Sequence, residues 1–275
     1  MANKKKKFNQ ISKDIKSIKI QGARNVAKAG LKAYKLIPTQ SSKNKIISLR
    51  STEPLLVNIL KDADKLSVKI LNEKLKQNQD IINKNTFKLI KQNSIIFTHC
   101  HSSTVIDALI YAKKKGKKFE VYNTETRPLF QGRKTSRDLK KAKIKNTMFT
   151  DSAASIALTK SQKTKKADIF LIGADAITKD AVINKVGSGM FAQIAKTNKI
   201  PVYVLADSWK YSKEKIQIEQ RNPEEVWNSK KITIKNPAFE AIKKKNVSRI
   251  ISELGSLSYS EFLKKLERNK ASYII

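Results

Sequence analysis

Cysteine and histidine are nearly missing from this chain, with one and two residues among 275. A single cysteine excludes an internal disulfide. No apolar run approaches the roughly 18 residues of a membrane span. The N-terminus, Met-Ala-Asn-Lys-Lys-Lys-Lys-Phe, lacks the apolar core of a signal peptide. A cytoplasmic protein with no membrane partner is therefore expected. Acidic residues are scarce as well: 23 stand against 58 Lys and Arg, a formal net charge of +35. Aromatics make up only 7%, whereas a reader of single-stranded nucleic acid interleaves them with basic residues. The lysines run from Lys4 to Lys270 without gathering in one segment. This favours a lysine bias with a small anionic substrate over a dedicated nucleic-acid surface. Any contact with nucleic acid is then expected to be non-specific. No repeat of solenoid period is visible.

The scarce residues are concentrated in one stretch, Ser94-Ile-Ile-Phe-Thr-His-Cys-His-Ser-Ser-Thr104. Ile95 to Thr98 read as a strand, and a helical pattern opens near Val105. In an open α/β sheet, ligands collect at the carboxyl ends of strands. A helix start there offers free N–H groups to an anion, so Ser102, Ser103 and Thr104 mark a phosphate-ready turn beside Cys100. A lone cysteine is more often a small buried hydrophobe than a reactive group. His99 and His101 alternate with Cys100, which on a strand turns the thiol away from both imidazoles and argues against a shared metal site.

Along the chain, residues 1–10 are expected to form a disordered basic tail and residues 11–90 a helical domain. Ile11, Ile15 and Ile18, then Val26, Leu31 and Leu36, have helical spacing, and Gly22 interrupts them as a hinge or as backbone approaching a ligand. Ser51 or Thr52 can cap a helix whose first turn holds Pro54. A second amphipathic segment covers about 68–90. Residues 91–275 are expected to form an α/β domain with a mainly parallel sheet, since from Ser94 short apolar runs alternate with helical patterns. Strands are expected at 95–98, 119–123, 147–150, 169–172, 202–205 and 250–251. Helices are expected at 105–115, 136–142, 153–160, 185–198 and 258–267, the last with Ser258 and Glu261 at capping-box spacing.

Polar groups follow four of these strands besides Cys100: Glu125 and Arg127, Asp151, Asp175, and Asp207 with Lys210. Their convergence at one sheet edge would make a site. Asp175 just past a buried strand suits a general acid or base, or merely caps a turn. Arg127 fits a phosphate bidentately, or forms a structural ion pair. The Gly187-Ser-Gly189 turn lacks the spacing of a dinucleotide fingerprint.

At these residues the chain resembles a known superfamily. The motifs are Thr98-His-Cys-His-Ser102, Glu125-Thr-Arg-Pro128 with Gln131-Gly132, Asp151-Ser-Ala-Ala154, Gly173-Ala-Asp175, Asn184-Lys185 and Asn236-Pro-Ala-Phe239. In that order they are similar to the superfamily that joins sugar-phosphate isomerases to the regulatory subunits of translation initiation factor 2B. Arg50 with Thr52-Glu53-Pro54, and Gly22-Ala23, extend the likeness into the helical region. The stretches Glu219-Gln-Arg221 and Pro223-Glu-Glu-Val226 favour the archaeal ribose-1,5-bisphosphate isomerase branch, with methylthioribose-1-phosphate isomerases as the nearest competitor. The resemblance implies a helical N-terminal domain, a Rossmann-like α/β domain, a homo-oligomer, often a hexamer, and no metal or organic cofactor. It implies isomerisation of ribose 1,5-bisphosphate to ribulose 1,5-bisphosphate in AMP breakdown. Cys100 would be the thiolate base, its pKa lowered at the helix N-terminus, and Asp175 the proton donor. Arg50, Arg127, Asn184, Lys185 and Lys210 would hold phosphate, with Gln21, Gly22, Ala23, Arg24, Ser102, Ser103 and Thr104 completing the substrate contacts. Four positions depart from the pattern. Gln21 stands for an arginine, with Arg24 as its replacement from another angle. Ser51 stands for a proline, Glu240 for an aspartate and Ser155 for an arginine.

Overall fold

The computed structural model describes residues 2–50, 52–229 and 231–268. Five helices come first: α1 (Ala2–Lys16), α2 (Ala23–Leu36), α3 (Gln40–Ser48), α4 (Pro54–Lys61) and α5 (Val68–Leu89). The expected tail is corrected here. Residues 2–10 are the first turns of α1, and Phe8 and Ile15, one heptad apart, are buried against the helical core. The run Lys4–Lys7 precedes an apolar face made by Phe8, Ile11 and Ile15. Gly22 N-caps α2 at φ +83° with open space where a Cβ would stand, so it acts as the hinge between α1 and α2. The N-cap of α4 is Glu53, whose side chain makes no capping bond, and Ser51 lies outside the described residues.

The remainder is an α/β unit. In order come β1 (Ser94–Thr98), α6 (Ser103–Lys114), β2 (Phe119–Thr124), α7 (Gln131–Lys141), β3 (Lys145–Phe149) and α8 (Ala154–Leu158). Then follow β4 (Ile169–Ile172), β5 (Ala176–Ile177), β6 (Ala181–Lys185), α9 (Ser188–Thr197) and β7 (Val202–Leu205). The chain closes with β8 (Phe239–Lys243), β9 (Arg249–Ser252), β10 (Gly255–Leu257) and α10 (Tyr259–Arg268). The main sheet has the order β10-β9-β7-β4-β1-β2-β3, parallel except for the edge pair β10–β9. A small antiparallel sheet, β5-β6-β8, sits beside it. The helix expected at 185–198 is α9, but it starts at Ser188, and the strand β6 before it is not among those expected. Lys185 closes the strand and Gly187, at φ +100°, turns the chain into the helix.

Alternation along the strands splits the sheet's apolar residues between its two faces. Ile95, Phe97, Phe170, Ile172, Val202 and Val204 pack with α8, α9 and α10. Ile96, Ile169, Leu171, Leu205 and Ile251 pack with α5, α6 and α7. Leu71 and Leu75 at the start of α5 lie in the helical core, whereas Ile82 lies under the sheet, so α5 ties the two halves together. At the start of α10 the capping box is closed. Ser258 N–H donates to Glu261 Oε2 at 2.7 Å, and Glu261 N–H donates to Ser258 Oγ at 3.3 Å. Among the described residues no helix is long and apolar enough to cross a membrane.

Candidate active site

In a doubly wound sheet the ligand crevice opens where the strand order reverses. Here β2 and β3 continue on one side of β1, while β4, β7 and β9 continue on the other. The reversal lies between β1 and β4, which pair through Ile96↔Ile169 and Phe97↔Phe170. Cys100 follows β1 by two residues and Asp175 follows β4 by three. The two expected reactive groups therefore leave neighbouring strands at the crevice. Gly173 lets them meet, because a Cβ there would stand 2.8 Å from Ser102 Cβ and overlap its hydroxyl. The chain running to Asp175 thus passes against the first residue of the α6 cap.

Cys100 is not on the strand. Its φ of +65° puts it in the left-handed region, an uncommon conformation for a residue with a side chain. Both its backbone groups are clamped: the N–H donates to Thr126 Oγ1 at 3.1 Å, and the carbonyl accepts from Thr135 Oγ1 at 2.8 Å. Asp151 secures the same loop by accepting from Thr126 N–H at 2.8 Å and Arg127 N–H at 2.6 Å. Ser102 caps α6 through Val105 N–H at 3.4 Å.

The histidines serve as fixtures. His99 Nε2–H donates to the Val186 carbonyl at 2.9 Å, which leaves Nδ1 to accept from Thr124 Oγ1. The Thr135 hydroxyl is already donating to Cys100, so it accepts from His101 Nδ1–H, at 3.1 Å. Lys134 Nζ donates to the other ring nitrogen of His101 at 2.6 Å. Burial pushes both imidazoles down to about 4, so they are neutral at pH 7. Among the described residues no group of three His, Cys, Asp or Glu is placed to hold a metal ion.

Around the two reactive groups lies a buried set of charges. Burial raises the Asp175 carboxyl above the usual range, opposed by Lys210, Lys185, Arg50 and Arg221. Burial also pushes the Cys100 thiol up to about 11, with Lys185 the main opposing charge. The lowered thiol expected from a helix N-terminus is corrected by this result: desolvation outweighs the nearby positive charge. Lys185 acts on both groups and lies over the Phe239 ring at 5.0 Å. Lys210 donates to the Ala174 carbonyl, one residue before Asp175. Arg50 Nη2 donates to Glu53 Oε1 at 3.1 Å, and its Nε faces Glu219 Oε2 at 3.9 Å. Arg221 Nε is 3.0 Å from the other oxygen of Glu219. The Nη1 groups of both arginines are buried without a hydrogen-bond partner.

The structure thus gathers Cys100, Ser102, Asp175, Lys185, Lys210 and Arg50. It adds Glu53, Glu219 and Arg221, whose convergence was not evident from their motifs. Arg50 and Glu53 pair three residues apart and Glu219 and Arg221 two residues apart, but the two pairs are distant in the chain and meet only through the fold. Other expected contacts are engaged elsewhere. Arg127 is exposed, over the Phe130 ring at 4.8 Å, with Nη2 3.5 Å from the Val226 carbonyl. Arg24 faces Asp107 at 3.7 Å. Asn184 Nδ2 donates to Ser188 Oγ at 3.1 Å, next to Lys185. Gln21 and Gly22 are exposed before α2, whereas Ala23 is buried in the helical core. Ser103 is exposed in the first turn of α6, and the Thr104 carbonyl accepts from Gln79.

The chemistry of the thiol is open to direct measurement. Cys100 is the only cysteine, so alkylation by iodoacetamide reports on it alone. The rate is expected to climb about tenfold per pH unit from 7 to 10, since only the thiolate reacts. A plateau above pH 8.5 would contradict the buried, desolvated thiol.

These features define a doubly wound α/β protein with a half-buried cysteine and carboxyl at the switch point and a cationic wall around them. The chain belongs to the Initiation factor 2 subunit family, whose pattern matches residues 57–259. It is 33% identical, over 88% of each chain, to the ribose 1,5-bisphosphate isomerase of Methanocaldococcus jannaschii. It is 34% identical to that of Archaeoglobus fulgidus over 62% of this chain and 56% of the relative. The crystal structure of the Pyrococcus horikoshii OT3 translation initiation factor eIF-2B superposes with a TM-score of 0.81. That match is 25% identical and covers 91% of this chain and 96% of the other.

Proposed function

We infer that this chain is an aldose–ketose isomerase converting α-D-ribose 1,5-bisphosphate to D-ribulose 1,5-bisphosphate. The observation that carries the reading is the pairing of Cys100 and Asp175 just past the ends of adjacent switch-point strands, with one shared cation, Lys185. The similarity to the two archaeal isomerases supports the substrate.

The reaction needs a proton at the ring oxygen, loss of the C2 proton, and return of a proton to C1. Asp175, its pKa raised by burial, is suited to begin as an acid. It protonates the ring oxygen as the C1–O4 bond breaks. Cys100, in the small thiolate fraction that a thiol at about 11 keeps at neutral pH, takes the C2 proton, and a C1=C2 enol carrying the 1-phosphate results. The Asp175 carboxylate then takes the proton of the C2 hydroxyl as C2=O forms, while the Cys100 thiol protonates C1. Both groups end as they began, so no external proton is consumed. Arg50, Lys185, Lys210 and Arg221 are the cations available for the two phosphates.

The test is turnover of ribose 1,5-bisphosphate beside methylthioribose 1-phosphate and ribose 5-phosphate. Formation of ribulose 1,5-bisphosphate alone is expected. Turnover only of methylthioribose 1-phosphate would keep the mechanism and reject the substrate. No turnover of any sugar phosphate by folded protein would reject the enzyme. The reading that the likeness to the Pyrococcus factor favours, a binding subunit, would then take its place.

A further inference from the structure

Glu53 occupies the N-cap position of α4, where its carboxylate could accept from the free N–H groups of the first turn, yet it makes no capping bond. It is instead 1% exposed and turned into the charged cluster. A single hydrogen bond reaches its side chain, from Arg50 Nη2 to Oε1, and Oε2 is buried without a partner. The charged groups facing it come from four segments: Arg50 from its own loop, Asp175 beyond β4, Lys210 beyond β7, and Glu219 from the long loop before β8.

A buried carboxylate with one bond and an empty oxygen is a poor anion, and Asp175 beside it makes ionisation worse. Burial and Asp175 together push Glu53 up to about 8. Charge balance gives this a purpose. Arg50, Arg221, Lys185 and Lys210 face the carboxyl groups of Glu53, Asp175 and Glu219. Were all three acids ionised, the cations would be nearly cancelled before substrate arrived. With Glu53 neutral, only Asp175 and Glu219 oppose the four cations, and the excess positive charge is available to phosphate.

We propose that Glu53 is a positioning residue kept as a neutral acid: it holds Arg50 by a hydrogen bond without cancelling the charge that Arg50 offers to substrate phosphate. The inference rests on the sugar-phosphate reading of the site. It makes phosphate affinity, rather than the chemical step, sensitive to mildly alkaline pH. Ionisation of Glu53 adds a negative charge beside Arg50 and Lys210 while leaving the thiol of Cys100 to govern kcat.

The experiment compares KM for ribose 1,5-bisphosphate at pH 7 and pH 9 in the wild type, Glu53→Gln and Glu53→Asp. The wild-type KM should rise about tenfold, as a group near 8 passes from mostly neutral to mostly ionised. The glutamine variant cannot ionise and should rise less than about threefold, whatever its absolute rate. The aspartate variant should recover the steep rise. An equal rise in wild type and glutamine variant overturns the proposal. A wild type that does not turn over the sugar bisphosphate overturns the enzyme reading instead. In that case binding of inorganic phosphate by the same three proteins, measured by calorimetry at the two pH values, still decides the role of Glu53.

Discussion

Replacing Cys100 by serine is expected to lower turnover of ribose 1,5-bisphosphate by about 10²–10⁴-fold, the usual worth of a positioned general base. The substitution changes one atom, so steric disturbance is small. The hydroxyl remains protonated throughout the working pH range and cannot take the C2 proton. Asp175→Asn should cost a similar factor, because the amide cannot move a proton between the ring oxygen and the C2 hydroxyl. Combining the two should cost much less than the product of the single losses, since the two groups act on one intermediate. The measurement is steady-state formation of ribulose 1,5-bisphosphate, with circular dichroism melting to show that each variant is folded. A serine variant that kept full activity would remove Cys100 from the mechanism.

Gly132→Ala is expected to be the most destabilising single-methyl change at the site. A Cβ at position 132 would overlap the Thr124 carbonyl oxygen and lie 2.8 Å from the carbonyl carbons of both Thr124 and Glu125. All three atoms are backbone, so no rotamer change relieves the clash. The end of β2 must separate from the start of α7, at the expense of two bonds of 3.0 Å. These are Gly132 N–H to the Glu125 carbonyl and Asn123 Nδ2 to the Gly132 carbonyl. A cost of about 4 kcal/mol or more follows, large for one methyl group. The melting temperature should drop by on the order of 10 °C. Activity should fall with it, because Thr124 and Thr126 fix His99 and Cys100. Gly116→Ala is the control. Its φ is +87° with open space around it, so it should cost only about 1 kcal/mol. Equal melting of the two variants would refute the steric argument.

The parts of the fold that were legible are those whose burial is uniform. β1, β4 and β7 are short apolar runs covered on both faces, and the sequence pattern places them to within a residue. β6 was hidden because Asn184-Lys185 before a glycine turn resembles a helix start as much as a strand end. β8, Phe-Glu-Ala-Ile-Lys, buries Phe239 and Ile242, a spacing of three that breaks the alternation of a strand. The site was legible as a set of motifs at strand ends. The acidity of Cys100 was not, because a helix N-terminus is visible in sequence and the depth of burial is not. Glu53 and Arg221 each pair with a neighbour in their own segment, Arg50 and Glu219, but the meeting of these two distant pairs was not visible in the sequence.

The charged wall around Asp175 takes Arg50 and Glu53 from before the first strand and Lys210, Glu219 and Arg221 from beyond the seventh. The crevice is thus assembled from about 170 residues of intervening chain, and contacts so distant in sequence form late in folding. During synthesis, Cys100 and Arg50 emerge well before the loop that carries Glu219 and Arg221. A ribosome-bound chain ending before Arg221 therefore carries a reactive thiol with no assembled substrate site, and activity begins only when the last third of the protein has joined the sheet.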